Sequence, residues 1–317
     1  MIKRYKSMKP CIACVIVTFN RINFLKRTLF HYDKQTEAPD YLIIVDNHST
    51  DGTKDFLNKW KNLNHKFQCI SISLSENIGG SGGFYIGCKK ALDFDLDYIW
   101  LADDDAYPDL NVFERLRWHV QNEKRAKKAA AICTTVWEHG RIQTGHRRRY
   151  KLAWDNIKPF PVPEEEYKYS CFALQLFSYV GVAIRADVLR RVGLCKKGFF
   201  IYNDDAEHAL RVAQCGEILC YTDMKVVHEK PIGRKDEDKR EFIDWHYYYS
   251  ARNSYLMLKY HFKKQYFIHW HLDYIKTKLH LLTHKKIDKY QVRLAALLDA
   301  KNDKLGIHEV YRPGWHS

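Results

Sequence analysis

The chain has 317 residues, 46% hydrophobic and 14% aromatic, enough for one large core or for one domain plus an appendage. Its formal net charge of +14 favours anionic partners: a sugar nucleotide, nucleic acid or an anionic lipid surface. The nine cysteines are scattered, with Cys11 and Cys14 the only close pair, which argues against structural zinc and fits free thiols in a cytosolic chain. No stretch reaches the roughly 20 apolar residues of a membrane span, and no long apolar segment follows the basic Met1–Lys9. A cytoplasmic protein is expected, soluble or peripheral at the inner face of the plasma membrane.

Cys11–Phe19 is a nearly continuous apolar run, as in a strand buried on both faces. Asn20-Arg21 ends it, and Phe24, Leu25, Thr28 and Leu29 follow at helical spacing. Tyr41–Val45 is a second buried strand, closing on the polar string Asp46–Thr53, in which Asp51 suits a helix cap. Phe56, Leu57 and Trp60 mark the next helix. Cys69–Leu74 is a third strand, and Asn77–Phe84, rich in glycine, opens a helix through about Phe94. Tyr98–Leu101 is a fourth strand. This alternation predicts a parallel, Rossmann-like sheet.

Asp103-Asp104-Asp105 follows that fourth strand, where ligands bind in open α/β sheets. Three adjacent carboxylates repel one another, and burying them without a cation costs several kcal/mol. Oxygen ligands suit Mg²⁺ or Mn²⁺ completed by water and phosphate. The run reads either as a metal–diphosphate site or as a solvated acidic turn.

Leu110–Val120 predicts a helix and Ala129–Val136 a strand. From about 137 to 170 the pattern fails, with Arg147-Arg148-Arg149 and Pro159, Pro161 and Pro163, as in an insertion or flap. Phe177–Ile184 is a strand and Ala186–Val192 a short helix. Another helix begins at Asn203-Asp204-Asp205-Ala206-Glu207, and Glu217–Tyr221 with Met224–Val227 ends the strand material. A boundary is expected at Lys230–Glu241. Beyond it, three helical faces are spaced through Tyr247, Ala251, Tyr255 and Leu258, through Ile275, Leu279 and Leu282, and through Leu294, Leu297 and Leu298. His246-Tyr247-Tyr248-Tyr249, His269-Trp270-His271, His280 and His284-Lys285-Lys286 make this region basic and aromatic. It fits an interfacial anchor on anionic lipid, or a helical appendage with a solvated basic face.

Several motifs therefore stand in order. They are Val17-Thr18-Phe19-Asn20-Arg21, Val45-Asp46-Asn47 with Asp51-Gly52-Thr53, Asn77-x-Gly79-Gly80-Ser81-Gly82-Gly83-Phe84, the Asp103–Asp105 triplet, Asp204-Asp205-x-Glu207 and His228. The set resembles the family 2 glycosyltransferases, inverting enzymes of GT-A fold, and within them bacterial galactofuranosyltransferases. The resemblance covers about residues 11–230, and less specifically Ala251-Arg252-Asn253. It implies an α/β fold, a mostly parallel sheet flanked by helices, with residues 1–230 catalytic and 231–317 a helical appendage.

The resemblance implies the following roles. Thr18, Asn20 and Arg21 contact uracil, ribose or diphosphate. Asp46 accepts the uracil N–H, and Asn77, Gly79 and Gly80 shape the donor pocket, where glycine lets amides approach an oxyanion or sugar. Asp103, Asp105 and His228 ligate Mn²⁺ or Mg²⁺, and Asp104 lies nearer sugar hydroxyls. Asp205 is the base, kept ionised by the helix start, and Asp204 and Glu207 position hydroxyls. The donor implied is UDP-galactofuranose, with a dTDP-sugar rhamnosyltransferase as the alternative. The acceptor is a growing glycan, lipid-linked. A nucleotidyltransferase shares the sheet and the metal acids but does not need Asp204–Glu207. A non-catalytic glycan-binding protein does not need both acidic segments, and no nucleic-acid module accompanies the charge.

Overall fold

The structure is a computed structural model and describes residues 9–229, 243–283 and 287–316. The expected boundary at Lys230–Glu241 and the cluster His284-Lys285-Lys286 lie outside the described residues.

The first third alternates as expected: β1 (Ile12–Thr18), α1 (Ile22–Asp33), β2 (Tyr41–Asp46), α2 (Thr53–Trp60), β3 (Gln68–Ser73), α3 (Gly79–Ala91) and β4 (Tyr98–Asp103). Then come β5 (Ala106–Pro108), α4 (Val112–Asn122), α5 (Lys124–Lys128), β6 (Ala131–Glu138) and β7 (Arg141–Ile142). The middle holds β8 (Arg147–Leu152), β9 (Ile157–Pro161), β10 (Cys171–Leu174), β11 (Leu176–Phe177), β12 (Val182–Arg185), α6 (Ala186–Val192), α7 (Asp204–Val212) and β13 (Ile218–His228). Three helices close the described chain: α8 (Trp245–His261), α9 (Lys263–Thr283) and α10 (Ile287–Lys301).

The main sheet runs β10-β13-β6-β12-β4-β1-β2-β3, with β5 beside β13 and β7 beside β6. β3, β2, β1 and β4 are mutually parallel, β12 runs against β4 and β6, and β13 is parallel to β6. The carboxyl ends of β1, β2, β4, β6 and β13 therefore share one edge. All of β1 is buried, with Ile12, Cys14 and Ile16 in one core layer and Ala13, Val15 and Val17 in the other. That is why the strand reads as an unbroken apolar run. The glycines of α3 serve this packing. A Cβ at Gly83 would lie 2.5 Å from Val17, and one at Gly87 2.3 Å from Val15.

Three sequence expectations are revised. The stretch at 137–170 is not patternless: β8 and β9 pair, and β11 joins β8, in a second three-stranded sheet. Within it, Arg147 is fully buried and donates to the carbonyls of Thr134, His146, Val180 and Gly181. The strand expected over Phe177–Ile184 is broken, because Gly181 has a positive φ of 74° and the chain changes sheets there. The two strands expected over 217–227 are one, β13, with its register to β6 interrupted between Tyr221 and Lys225.

The C-terminal helices pack on the Phe199–Phe200 turn. Phe199 lies with Tyr255, Leu256, Trp270 and Leu297, and Phe200 with Tyr248, Tyr249 and Val292. Ile275, Leu279 and Leu282, spaced as a helical face, are exposed to solvent.

Candidate active site

Register along the main sheet assembles the site. Val17 on β1 pairs with Asp103 on β4, and Thr18 with Asp46 on β2. Thr18 Oγ1 donates to Asp104 Oδ2 at 2.6 Å, and the Arg21 guanidinium reaches Asp104 at 3.1 Å and Asp105 at 2.6 Å. One of the three acids is thus neutralised by the chain itself. Burial still pushes Asp104 up to about 7, against the pull of Arg21 and Thr18.

Asp103 and Asp105 are left facing His228. β5 turns back after the triplet and pairs with β13, placing Ala106 opposite His228, and Glu229 N donates to the Asp105 carbonyl at 2.9 Å. One ligand atom from each of Asp103, Asp105 and His228 lies within 4.8 Å of the other two. Burial and the neighbouring Asp105 charge push Asp103 up to about 8. Asp105 is held low, because His228 and Arg21 together outweigh its burial. Its buried Oδ1 accepts no hydrogen bond, although His228 Nε2 lies 3.3 Å away. An orphaned carboxylate oxygen between a second carboxylate and an imidazole fits a divalent cation.

His228 is oriented from behind. Its Nδ1 lies 2.8 Å from Glu138 Oε1, at the end of β6, which leaves Nε2 toward Asp105. Glu138 Oε1 is also 3.2 Å from His146 Nε2, whose other nitrogen meets Ser178 Oγ at 2.7 Å. Glu138, His146 and His228 form a second group of ligating type. The orphaned Asp105 oxygen favours the first group, with Glu138 as the carboxylate that fixes the imidazole tautomer.

Beside the acids lies a cavity of about 310 Å³ lined by Thr18, Arg21, Asn47, Asn77, Gly79 and Asp103 among others. Gly80 and Asp104 also reach it, and Phe200 forms its far wall. Two expected donor contacts lie off its walls. Asn20, exposed with φ 53°, accepts from Thr50 N through Oδ1 and ties two loops together. Asp46 is buried and accepts from Ser49 N at 3.0 Å. Its neighbour Asn47 is the lining residue, donating to Asn77 Oδ1 and accepting from Ile78 N. The glycine run is not a free amide cradle either. Ile78 N goes to Asn47, Gly79 N to Asn77 Oδ1 and Ser81 N to the Phe200 carbonyl. Gly79 is needed because its φ is 77° and a Cβ would sit 2.1 Å from the Phe200 carbonyl oxygen.

Phe200, Tyr202 and Asn203 all have positive φ, at 68°, 67° and 62°. Such backbone is costly for side chains of this size, so the surroundings must hold it. Asn253 Nδ2 donates to the carbonyls of Phe199, Ile201 and Tyr202, and Arg252 to those of Gly198 and Phe199. This clamp delivers the start of α7. Asp204 is buried, and burial with the adjacent Asp205 charge raises it to about 7. Burial also raises Asp205, while Arg148 pulls it down. The helix start therefore does not keep this pair at ordinary carboxylate values, because desolvation exceeds the dipole's effect. Neither aspartate lines the cavity beside Asp103 and Asp104. Glu207 has a different place from the one expected. It is buried and paired with Arg211 at 2.8 Å and His261 at 3.0 Å, and despite burial those partners lower it to about 2.

Residues 13–190 match the family described as Glycosyl transferase family 2. The chain belongs to that family. A galactofuranosyltransferase GlfT1 of Mycobacterium tuberculosis is 28% identical over 210 residues, 66% of this chain and 66% of that protein. The GlfT1 of Mycolicibacterium smegmatis is 26% identical over 65% of this chain and 66% of its own length. The matches thus span about two thirds of these relatives. An O-antigen chain rhamnosyltransferase, WbaN of Salmonella anatum, is 29% identical over 132 residues, 41% of this chain and 38% of its own. Among solved structures, GalNAc-T7 with UDP, GalNAc and Mn²⁺ superposes with a TM-score of 0.62 at 16% identity, covering 94% of this chain and 55% of that one. S. aureus TarS 1-349 in complex with UDP-GlcNAc gives 0.59 at 14%, covering 92% and 81%. At these identities the two structures speak for the fold alone, which is that of GT-A glycosyltransferases.

Against this family 2 frame, sequence reasoning missed Asn47, Glu138, Arg148 and the Arg252–Asn253 clamp as parts of the site. Asn47 stands within the quoted Asp46-Asn47 string and Arg252-Asn253 within a quoted tripeptide. Glu138 and Arg148 carry no local signal: Glu138 meets its partner 90 residues away, and the Arg148 charge acts on Asp205 from the second sheet.

Proposed function

We propose that this protein is a metal-dependent, inverting glycosyltransferase that moves galactofuranose from UDP-galactofuranose to a hydroxyl of a growing, lipid-linked glycan. The observation that carries the reading is the group Asp103, Asp105 and His228, with its orphaned Asp105 oxygen, beside a cavity of about 310 Å³. The galactofuranose choice rests on the relatives. Asp103, Asp105 and His228 would hold Mn²⁺ or Mg²⁺, which when bound supplies positive charge to the departing diphosphate. Arg21 adds a fixed charge at the same wall, and Asn47 and Asn77 shape the nucleotide side. Asp205 takes the proton of the acceptor hydroxyl. That oxygen bonds to the anomeric carbon as the bond to the diphosphate breaks, and one displacement inverts the configuration. A base raised above the ordinary carboxylate range by burial is better matched to this task than an ordinary aspartate.

The rhamnosyltransferase relative supports a second donor, a dTDP-sugar. One experiment decides between them. The protein is incubated with Mn²⁺ and UDP-galactofuranose or dTDP-rhamnose, with and without chelator, in the presence of a glycan acceptor. Release of UDP, dependent on metal, is the expected result. Release of dTDP alone selects the second donor, and release of the sugar 1-phosphate instead of a nucleoside diphosphate would overturn both in favour of nucleotidyl transfer.

A further inference from the structure

Helix α9 carries a surface that the reaction does not use. Phe267, Leu272, Ile275, Leu279 and Leu282 are exposed by 64%, 50%, 57%, 55% and 83%. Isolated exposed apolar residues are ordinary, but a contiguous stripe is not. At about 100° per residue, Leu272, Ile275, Leu279 and Leu282 fall within an arc of about 80° on one side of the helix. Lys264 and Lys278 project on one flank of that arc and Lys276 on the other. The opposite side is the packed one, through Trp270, Asp273 and Thr277.

The charge distribution says what covers the stripe. Asp273 is the sole acid of α9, and it is buried and bonded to Arg293 at 2.9 Å. The exposed surface of the helix is therefore apolar and cationic, with no carboxylate. A second copy of a chain of net charge +14 would set lysine rows against lysine rows. An anionic lipid surface accepts both features at once: apolar side chains enter the acyl boundary and lysines meet the headgroups. The β8–β9 hairpin extends the surface. Its tip is joined to the start of α9 by Gln265 Nε2 donating to the Ala153 carbonyl at 3.3 Å, and its Leu152 and Trp154 are exposed. An exposed tryptophan is suited to the headgroup boundary.

We infer that the outer face of α9, with the adjoining hairpin tip, is a docking surface for an anionic membrane. The inner side of the same helix contributes His269 to a cavity of about 370 Å³ that Asn203 also lines, next to the Asp204–Asp205 pair. An acceptor anchored in that membrane would be brought to the helix bordering the acidic pair. The inference stands on α9 alone and does not depend on the donor or the metal.

The test is co-sedimentation of the full chain with vesicles of phosphatidylcholine alone or mixed with phosphatidylglycerol. The wild type should bind the mixed vesicles, less as salt is raised, and the neutral ones weakly. Ile275→Asp with Leu279→Asp should lower that partition by about tenfold or more, with an unchanged melting temperature and unchanged nucleotide release on a soluble acceptor. Lys276→Glu with Lys278→Glu should weaken binding to the mixed vesicles alone. Should the apolar variant fail to fold, Leu282→Asp, at the most exposed position, replaces it. Wild-type binding that is absent, or equal on both vesicles, overturns the inference. So does full binding by the apolar variant, or a dimer in sedimentation velocity that the variant dissociates while vesicle binding is nil.

Discussion

Two acidic clusters, Asp103–Asp105 and Asp204–Asp205, are built on different plans. Asp103–Asp105 is surrounded by cationic or proton-accepting groups: Arg21 on Asp104 and Asp105, and His228 backed by Glu138. Asp204–Asp205 opens α7, and burial holds both members above the ordinary carboxylate range, with the Asp205 charge adding to the rise of Asp204 and the Arg148 charge drawing Asp205 down. The first arrangement fits a standing positive charge. The second fits a proton that comes and goes. Identical residue types in two short runs thus differ in electrostatic setting through what the fold places around them.

That comparison can be broken at its strong end first. Asp103→Ala or Asp105→Ala should abolish metal-dependent transfer and Mn²⁺ binding, measured by turnover and calorimetry, with the fold intact. Full activity of either variant in chelator would remove the metal from this cluster.

The second plan is tested by Asp205→Asn, which keeps size but removes the proton acceptor. Turnover should fall by about 10²–10⁴ while donor and metal affinities hardly change. Near-normal turnover in the folded variant would pass the role to Asp204.

A smaller effect sharpens the first cluster. Glu138→Ala should lower Mn²⁺ affinity by about 10–100-fold, because His228 loses the partner that aims Nε2. An unchanged affinity would mean that packing alone orients the imidazole.

The subtlest test is the pH profile. A base acts unprotonated, so kcat/KM should rise with pH above the ordinary carboxylate range, because burial raises both Asp204 and Asp205. Arg148→Met removes the charge that pulls Asp205 down and should move the rising limb to higher pH. A limb that stays in place would exclude Arg148 from the pair's electrostatics.

Much of the frame was legible because burial on both faces writes itself as apolar runs. β1, β2 and β4 were readable for that reason, as were the acids at the end of β4. What stayed hidden depends on contacts distant in sequence. Arg147 stands in a stretch without a readable pattern, yet its side chain is fully buried and donates to four backbone carbonyls, those of Thr134, His146, Val180 and Gly181. The glycine run reads as an anion cradle, yet the amides of Ile78, Gly79 and Ser81 are claimed by Asn47, Asn77 and Phe200. Glu207 reads as part of a catalytic motif, but Arg211 one turn on and His261 on a distant helix take its carboxylate. The apolar spacing of α9 was visible, but spacing alone does not say whether a face is packed or bare.

The hold of Arg252 and Asn253 on the Phe199–Tyr202 backbone bears on how such a protein could be recombined. α8 is not a module to be exchanged for another chain's helix. Grafted onto a foreign tail, the sheet could keep its nucleotide wall and its acidic triplet, yet the left-handed turn at Phe200, Tyr202 and Asn203 would lose what enforces it. The hybrid would keep the triplet and lose the placement of the start of α7. A helix inherited along with the turn it restrains must therefore change in step with that turn, and specificity transplanted by swapping tails should fail unless residues 198–203 travel too.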